Sequence, residues 1–507
     1  MEPTKRIVTN TLAQYVKAAI NICLSLYATR LILQVLSISD YGIFTVVGGV
    51  IALLGFMTNA LSITTQRYIS YHSGQNDRSR LRKIFANSLF LHLLVGGFTA
   101  IILLVLRSWL VEDMLVIPPD RIDAANIVYV ITVIMLLLTI ITAPYKALFI
   151  ARENIVYIAV VEIIDGILKF ILALCIAYIP FDKLIIYTLL LGLILVLNLF
   201  AFVIYAKLHF EETCIIIRRA DIDKSTLKQL SGFMGWSTYG MGAVAVRIQG
   251  TQMVMNLFYG TVINAAFGIA MQVYGALVFI STSILNAMNP QITKAEGVHN
   301  RDKAISLACK ESKYSVSMMA IVSIPLMIEM PSVMSLWLQE VPDHAVMFCR
   351  FILTIFLCDQ LTAGLNTLCE AMGNIRNYCL LVYTPKLLSL PIFYFVLRGG
   401  NGVETVMWIF LVVELFIALV RIPWVSRATG MKTSLYVKQV FLPLTPLILG
   451  VLAIGFLVTS ITDMPTRFIL NIAVCVIAGA VLLYLTASHT EQAFLRELIS
   501  HKIKRHA

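Results

Sequence analysis

Charge is scarce in this chain. Only 13% of its 507 residues are Asp, Glu, Lys or Arg, against about a quarter in ordinary soluble domains. No polar stretch is long enough to form a soluble domain between the apolar runs, which excludes a soluble enzyme carrying a membrane tail. The nine cysteines include no Cys-x-x-Cys spacing and fall in expected helices or inside loops, so neither a disulfide framework nor a metal site is indicated. Eight histidines are dispersed with no ligand-spaced pair. A phosphate-cradling Gly-Lys-Ser/Thr loop is also missing, which argues against ATP hydrolysis by this chain, and no cofactor is expected.

What the chain has in abundance is hydrocarbon. It is 59% hydrophobic, with a mean hydropathy of +0.86. Apolar runs of about 20 residues, enough to cross roughly 30 Å at 1.5 Å per residue, recur from end to end. The expected fold is an all-α integral membrane protein with about fourteen transmembrane helices, centred near residues 23, 53, 95, 137, 167, 195, 245, 274, 325, 358, 387, 413, 449 and 477. Lys5 and Arg6 before the first run imitate a signal peptide. That run is too long, however, and is broken by Gln14, Lys17 and Asn21, so it reads as a retained first helix.

Positive charge orients the spans. With the N-terminus inside, the outer loops hold five cations (Arg107, Arg121, Lys183, Arg398 and Arg467), while most of the 39 Lys and Arg lie in cytoplasmic segments. Both termini are then cytoplasmic. The same asymmetry accounts for the net charge of +11: segments such as "QRYISYHSGQNDRSRLRKIF" face anionic membrane lipids, and nucleic acid is not needed as a partner.

The sequence repeats itself. "TAPYKALFIARENI" (Thr142 to Ile155) and "TAGLNTLCEAMGNI" (Thr362 to Ile375) agree at six of fourteen positions at an offset of 220. A weaker echo relates Gly74 and Arg78 to Gly297 and Arg301 at an offset of 223. Six spans separate the copies, an even number, so the two copies point the same way across the membrane. The expected organisation is a six-helix bundle over 1–206, a cytoplasmic linker over 207–230, and a second six-helix bundle over 231–424. Two further helices and a basic tail fill 425–507. In transporters built this way the substrate site lies between repeats and alternating access comes from rocking one against the other.

A charge in the middle of a span costs about 2.5–3.5 kcal/mol on insertion scales, so each intramembrane charge needs water, a partner or a ligand. In span five, Glu162, Asp165 and Lys169 share one helical face, which reads as an internal pair or as a proton- or ion-coupling site. Glu414 and Arg421 in span twelve raise the same alternatives. Acids also occur at Glu329, Asp359 and Glu370, and mid-membrane Asp359 is the candidate for cation coupling. The cations are the stronger signal. Lys17 shares a polar stripe with Asn10, Gln14 and Asn21, a face suited to a hydrated cavity. Arg247 has Gln249, Gln252 and Asn256 nearby and no acid in its own span, and Lys386 follows the helix-kinking Pro385. Arg30 either snorkels to the outer surface or lines a cavity. Lys17 and Arg247 each sit in the first helix of a copy. Cations placed so, joined by Lys386, would suit a pyrophosphate.

The stretch "ATRLILQVLSISDYGIF", with Arg30, Asp40, Tyr41 and Gly42, together with the polar helix end "STSILNAMNPQ" and the parallel fourteen-span repeat, resembles the polysaccharide flippases of the Wzx type. These belong to the multidrug/oligosaccharidyl-lipid/polysaccharide (MOP) exporter superfamily, and the resemblance covers essentially the whole chain. It implies movement of undecaprenyl-diphosphate-linked oligosaccharides across the bacterial cytoplasmic membrane for O-antigen, capsule or exopolysaccharide assembly. It further implies H+ or Na+ as a possible counter-ion, and a polysaccharide polymerase and assembly proteins as partners. A cation-coupled multidrug exporter of the same fold is the alternative, opposed by Lys17, Arg247 and Lys386. A major-facilitator exporter is suggested only by "GQNDRSRLRK", whose spacing is one residue short. A membrane enzyme is disfavoured by short outer loops that lack an arranged base or nucleophile.

Overall fold

The computed structural model describes residues 3–36, 40–41, 43–44, 47–48, 54–75, 77–114, 117–213, 219–338, 341–461, 467–486 and 492. Among them all regular structure is helical. The helices used below are α1 (Pro3–Val35), α2 (Gly55–Gly74), α3 (Arg78–Val105), α4 (Ile122–Ala151), α5 (Ile155–Cys175), α6 (Lys183–His209) and α7 (Lys224–Gly297). There follow α8 (Arg301–Ile328), α9 (Met330–Trp337), α10 (Ala345–Gln360), α11 (Ala363–Met372), α12 (Arg376–Arg398), α13 (Val403–Thr429), α14 (Thr433–Ile461) and α15 (Arg467–Leu485).

Among the described residues eight helices are long and apolar enough to cross a membrane, or ten if two bent pairs each count as one span. The pairs are α8 with α9, bent by 77°, and α10 with α11, bent by 45°. The first bend follows Pro325 in the last turn of α8, and Pro331 opens α9, where its missing N–H costs nothing. The chain is thus a multi-pass membrane protein. α1, α5 and the first part of α7 coincide with three further expected spans, α5 being apolar apart from Glu162, Asp165 and Lys169, while the centre of the span expected near residue 53 lies outside the described residues; the helices are consistent with fourteen crossings. Lipid-facing surface is plain on α3, where Phe98, Ile101 and Val105 are 64%, 62% and 77% exposed.

α7 is a single run of helical hydrogen bonding over 74 residues, which would extend about 110 Å if straight. It doubles back instead. Tyr68 donates its hydroxyl proton to the Gln229 carbonyl at 3.2 Å, near the start of α7. Three residues on, the Tyr71 backbone lies against Gly297 at the helix end. One turn of α2 touches both ends, so α7 is a hairpin of two spans, the second beginning at Ala266.

Starts and stops follow local chemistry. Asp77, Asp182 and Asp223 cap α3, α6 and α7 by accepting from amides of the first turn, at 3.0, 3.1 and 2.9 Å. Gly430, at φ 75°, ends α13 in the left-handed conformation that glycine adopts without a Cβ penalty.

The chain divides into two compact units. One comprises 1–242, 286–300 and 370–379; the other comprises 243–285, 301–369 and 380–507. In the first, Val128, Tyr129 and Val133 of α4 pack with Leu184 and Tyr187 of α6, and an aromatic group of Phe85, Phe149 and Phe202 fills the other end. In the second, Phe267, Phe348, Phe393 and Phe410 form the core. α14 and α15 seal a smaller apolar seam against Ile321 and Ile324 of α8.

Candidate functional site

Each unit holds a cluster of charge in which one carboxylate lies between two cations. In the first unit, Lys17 of α1 donates to Glu162 Oε2 at 2.8 Å, and Lys146 of α4 donates to Glu162 Oε1 at 2.9 Å. The rest of the polar stripe on α1 follows the same seam. Asn21 donates to the Glu162 carbonyl at 3.2 Å, and Asn10 donates to the Glu153 carbonyl at 3.0 Å. The stripe expected to face a hydrated cavity is therefore spent on helix packing against α5 and the turn after α4. Asp165 accepts from Lys169 at 2.8 Å, one turn on, and from Asn198 at 2.7 Å. The coincidence of Glu162, Asp165 and Lys169 on one face is as the helical spacing indicates, but Glu162 takes its cations from other helices.

The second unit holds the cavity. It measures about 240 Å³ and is lined by Arg247 and Tyr274 of α7, Asp359 and Gln360 of α10, Asn366 of α11, Tyr383 and Lys386 of α12, and Glu414 and Arg421 of α13, with Phe356 and Phe410 among its apolar walls. Glu414 accepts from Lys386 at 2.7 Å and from Arg247 at 3.2 Å, and Lys386 also lies 3.4 Å from Asp359. Arg421 donates to the Thr362 hydroxyl at 2.7 Å, and the Arg247 guanidinium lies 4.9 Å from the centre of the Phe410 ring. The lining thus carries three cations against two carboxylates. Side-chain exposure separates them: Glu414, Lys386 and Arg247 are 1%, 6% and 9% exposed, and Asp359 is 34% exposed. Asp359 is the acid that a solute entering the cavity would meet first.

Several sequence expectations change here. Arg247, which has no acid in its own span, is neutralised from α13, and Lys386 converges on the same carboxylate. Gln249, Gln252 and Asn256 do not join them. Gln249 follows Arg247 by two positions, about 200° round the helix, and with Gln252 and Asn256 it occupies a different face of α7. The side chain of Arg30 lies outside the described residues, as does Gly42 of the Asp-Tyr-Gly pattern. Asp40 of that pattern accepts from Arg121 at 2.8 Å, and Arg121 also reaches Asp182 at 2.6 Å. The most specific motif thus ties together the starts of α4 and α6 and the segment after α1.

Two functional neighbours were missed in the sequence. Lys146 was overlooked because its segment was read for its match to the repeat, yet a lysine inside "TAPYKALF" is itself an intramembrane charge. Tyr274 carried no signal apart from its place in an expected span. Among the described residues no three His, Cys, Asp or Glu side chains converge as a metal would require.

No protein-family model and no curated protein matches the chain. Solved structures do. The chain is similar to a MOP superfamily transporter from Pyrococcus furiosus, at 14% identity and a TM-score of 0.70, covering 85% of this chain and 96% of that one. It is similar to a multidrug resistance MATE family transporter of the MOP superfamily in an outward-facing conformation, at 15% identity and a TM-score of 0.70, covering 86% and 97%. A MATE protein in a bent conformation gives 14% identity and a TM-score of 0.73 over 86% and 97%. The fold is that of these transporters.

Proposed function

We propose that the chain is a transporter of the MOP superfamily that moves a lipid-linked oligosaccharide, carried on undecaprenyl diphosphate, across the bacterial cytoplasmic membrane for surface polysaccharide assembly. The observation that carries this reading is the excess of cations lining the second unit's cavity: Arg247, Lys386 and Arg421 against Asp359 and Glu414. A guanidinium fork and a compact ammonium together suit a diphosphate, and they disfavour the cationic amphiphiles typical of drug exporters. For the Pyrococcus neighbour, reverse polarity of the binding pocket is taken to suggest a different function. The same reasoning supports a substrate of negative charge here. Lys17 and Lys146, shared through Glu162, form a separate cationic cluster within the first unit, which would suit an anionic group that displaced the carboxylate. Transport would proceed by alternating access, coupled to H+ or Na+ through Asp359, Glu162 or Asp165.

The second reading, a cation-coupled multidrug exporter of the same fold, is favoured by one observation: the most exposed charge in the cavity is the carboxylate of Asp359. A chromosomal deletion in the native bacterium separates the two. The flippase reading predicts loss of surface glycan with lipid-linked repeat units trapped on the inner leaflet. Complementation with Arg247→Gln or Lys17→Gln would restore less glycan at normal protein levels. Unchanged glycan together with increased sensitivity to cationic drugs would support the exporter instead.

A further inference from the structure

The two copies of the repeat meet in a reciprocal way that neither copy's own folding requires. Adding 223 to Gly74 gives Gly297, and adding it to Tyr71 gives Lys294. A Cβ on Gly74 would collide with the Lys294 carbonyl oxygen, and a Cβ on Gly297 would collide with the Tyr71 carbonyl oxygen. Each copy's glycine therefore receives the other copy's backbone at the matching position. Contacts of this i-to-j, j-to-i kind mark pairing about a two-fold axis.

The turns related by the 220 offset are each bridged by the other copy as well, through residues that are not themselves equivalent. Glu153 and Gly373 are equivalent positions, and both have positive φ, at 59° and 90°. Lys294, from the second copy, donates to Glu153 Oε1 at 2.6 Å. Arg67, from the first copy, donates to the Glu370 and Ala371 carbonyls at 3.0 and 2.9 Å, capping the end of α11. Its guanidinium fills the space a Gly373 side chain would need. Glu153 and Arg67 are buried, at 7% and 8% exposure. All of these groups belong to the first compact unit.

We propose that this crossed clasp is the inner latch of the transport cycle, closed here and parting whenever the substrate path opens to the cytoplasm. The positive-inside orientation puts it at the cytoplasmic end. There every group it releases can hydrate: the Lys294 ammonium, the Glu153 carboxylate, and both the guanidinium and carbonyls of the Arg67 cap. The glycine contact gives up only van der Waals attraction, which is small for each atom pair and depends on the missing Cβ. Such a latch is reversible, whereas the same groups parted in hydrocarbon would find no partners. The inference rests on the transporter reading, but its conformational part can be measured without the substrate.

The test places nitroxides at Gln75 and Val298, exposed positions also related by 223, in the full-length protein with its nine cysteines replaced, in lipid nanodiscs. The wild-type sequence should show mainly a short separation. Gly74→Val and Gly297→Val should each raise the long-separation population about fivefold or more, and by similar amounts because the contacts are equivalent. Lys294→Gln should act in the same direction and Lys294→Arg should not. In a complementary measurement without the nitroxides, the pair Glu153→Cys with Lys294→Cys is bridged by a short bis-methanethiosulfonate. The bridge should stop translocation in proteoliposomes, and reduction should restore it. Distances unmoved by every variant, or translocation at full rate in the bridged protein, would overturn the latch. If distances respond while no lipid-linked oligosaccharide is moved by the wild type, the latch stands and the substrate reading fails.

Discussion

Glu414 divides its two carboxylate oxygens between cations from different helices, with Oε1 2.7 Å from the Lys386 ammonium and Oε2 3.2 Å from the Arg247 guanidinium. The carboxylate is the hub of the second unit's charge cluster and is nearly inaccessible. Glu414→Gln takes the carboxylate from buried Arg247 and leaves Lys386 only its longer contact with Asp359. The expected loss is about 3–5 kcal/mol, the scale for removing one partner from a buried pair. Arg247→Met or Lys386→Met leaves one cation on Glu414 and should cost less. Thermal unfolding in detergent, followed by size-exclusion of the tagged protein, ranks the three. An equal loss for all would show that Glu414 is not the hub.

The first unit's cluster is wetter. The side chains of Lys17, Glu162 and Lys146 are 15%, 27% and 40% exposed, so solvent screens the pairs. Losing either lysine alone should cost only about 1 kcal/mol, because the other still holds Glu162. Losing both should cost more than the sum of the single losses. A double-mutant cycle with Lys17→Met and Lys146→Met reads this directly, and strict additivity would mean that the lysines do not share the carboxylate.

Just before α6, Asp182 is held below the ordinary carboxylate range, first by its hydrogen bond from Arg121 and then by the Ile185 and Leu184 amides. A depressed folded-state pKa gives stability that is fully present above the unfolded value, about 3.9, and is lost as pH falls through the folded value. Wild type should therefore exceed Asp182→Asn in melting temperature at pH 7, with the gap closing as the pH drops below about 4. A gap that stays constant with pH would remove the ion pair from the account.

One carboxylate ties the start of α15 to α8 and α9. Glu329, at the bend between α8 and α9, accepts from Arg467 at 3.1 Å and from Asn471 at 2.9 Å. Glu329→Gln should free the start of α15 and speed proteolysis between α14 and α15, leaving the fragment that ends with α14 intact. Unchanged cleavage would show that the apolar seam with Ile321 and Ile324 suffices.

The membrane class and the helix positions were legible because an apolar run has few alternatives in a bilayer. The repeat was legible as well, and its offsets of 220 and 223 locate Glu153 against Gly373 and Gly74 against Gly297. Partners were not legible. Arg247 and Glu414 are 167 residues apart, and only packing shows that one neutralises the other. The stripe of Lys17, Asn10 and Asn21 was read correctly as a polar face, but helical spacing says nothing about whether water or α5 meets it. The reversal within α7 was legible as the break between the spans centred near 245 and 274, although no proline marks it. Asp40 stood out as part of a motif, while its partner Arg121 had been counted only as an outer-loop charge.

Translocation in proteoliposomes tests the central claim most directly. Purified protein is reconstituted with a fluorescent undecaprenyl-diphosphate-linked oligosaccharide, and a membrane-impermeant reagent reports the leaflet it occupies. The account predicts relocation of the lipid with its mass unchanged, slowed at least tenfold by Arg247→Gln combined with Lys386→Gln in protein that still folds, the loss of about 1.4 kcal/mol or more of binding free energy. No relocation by the wild type, in vesicles where the same protein expels a cationic dye, would contradict it.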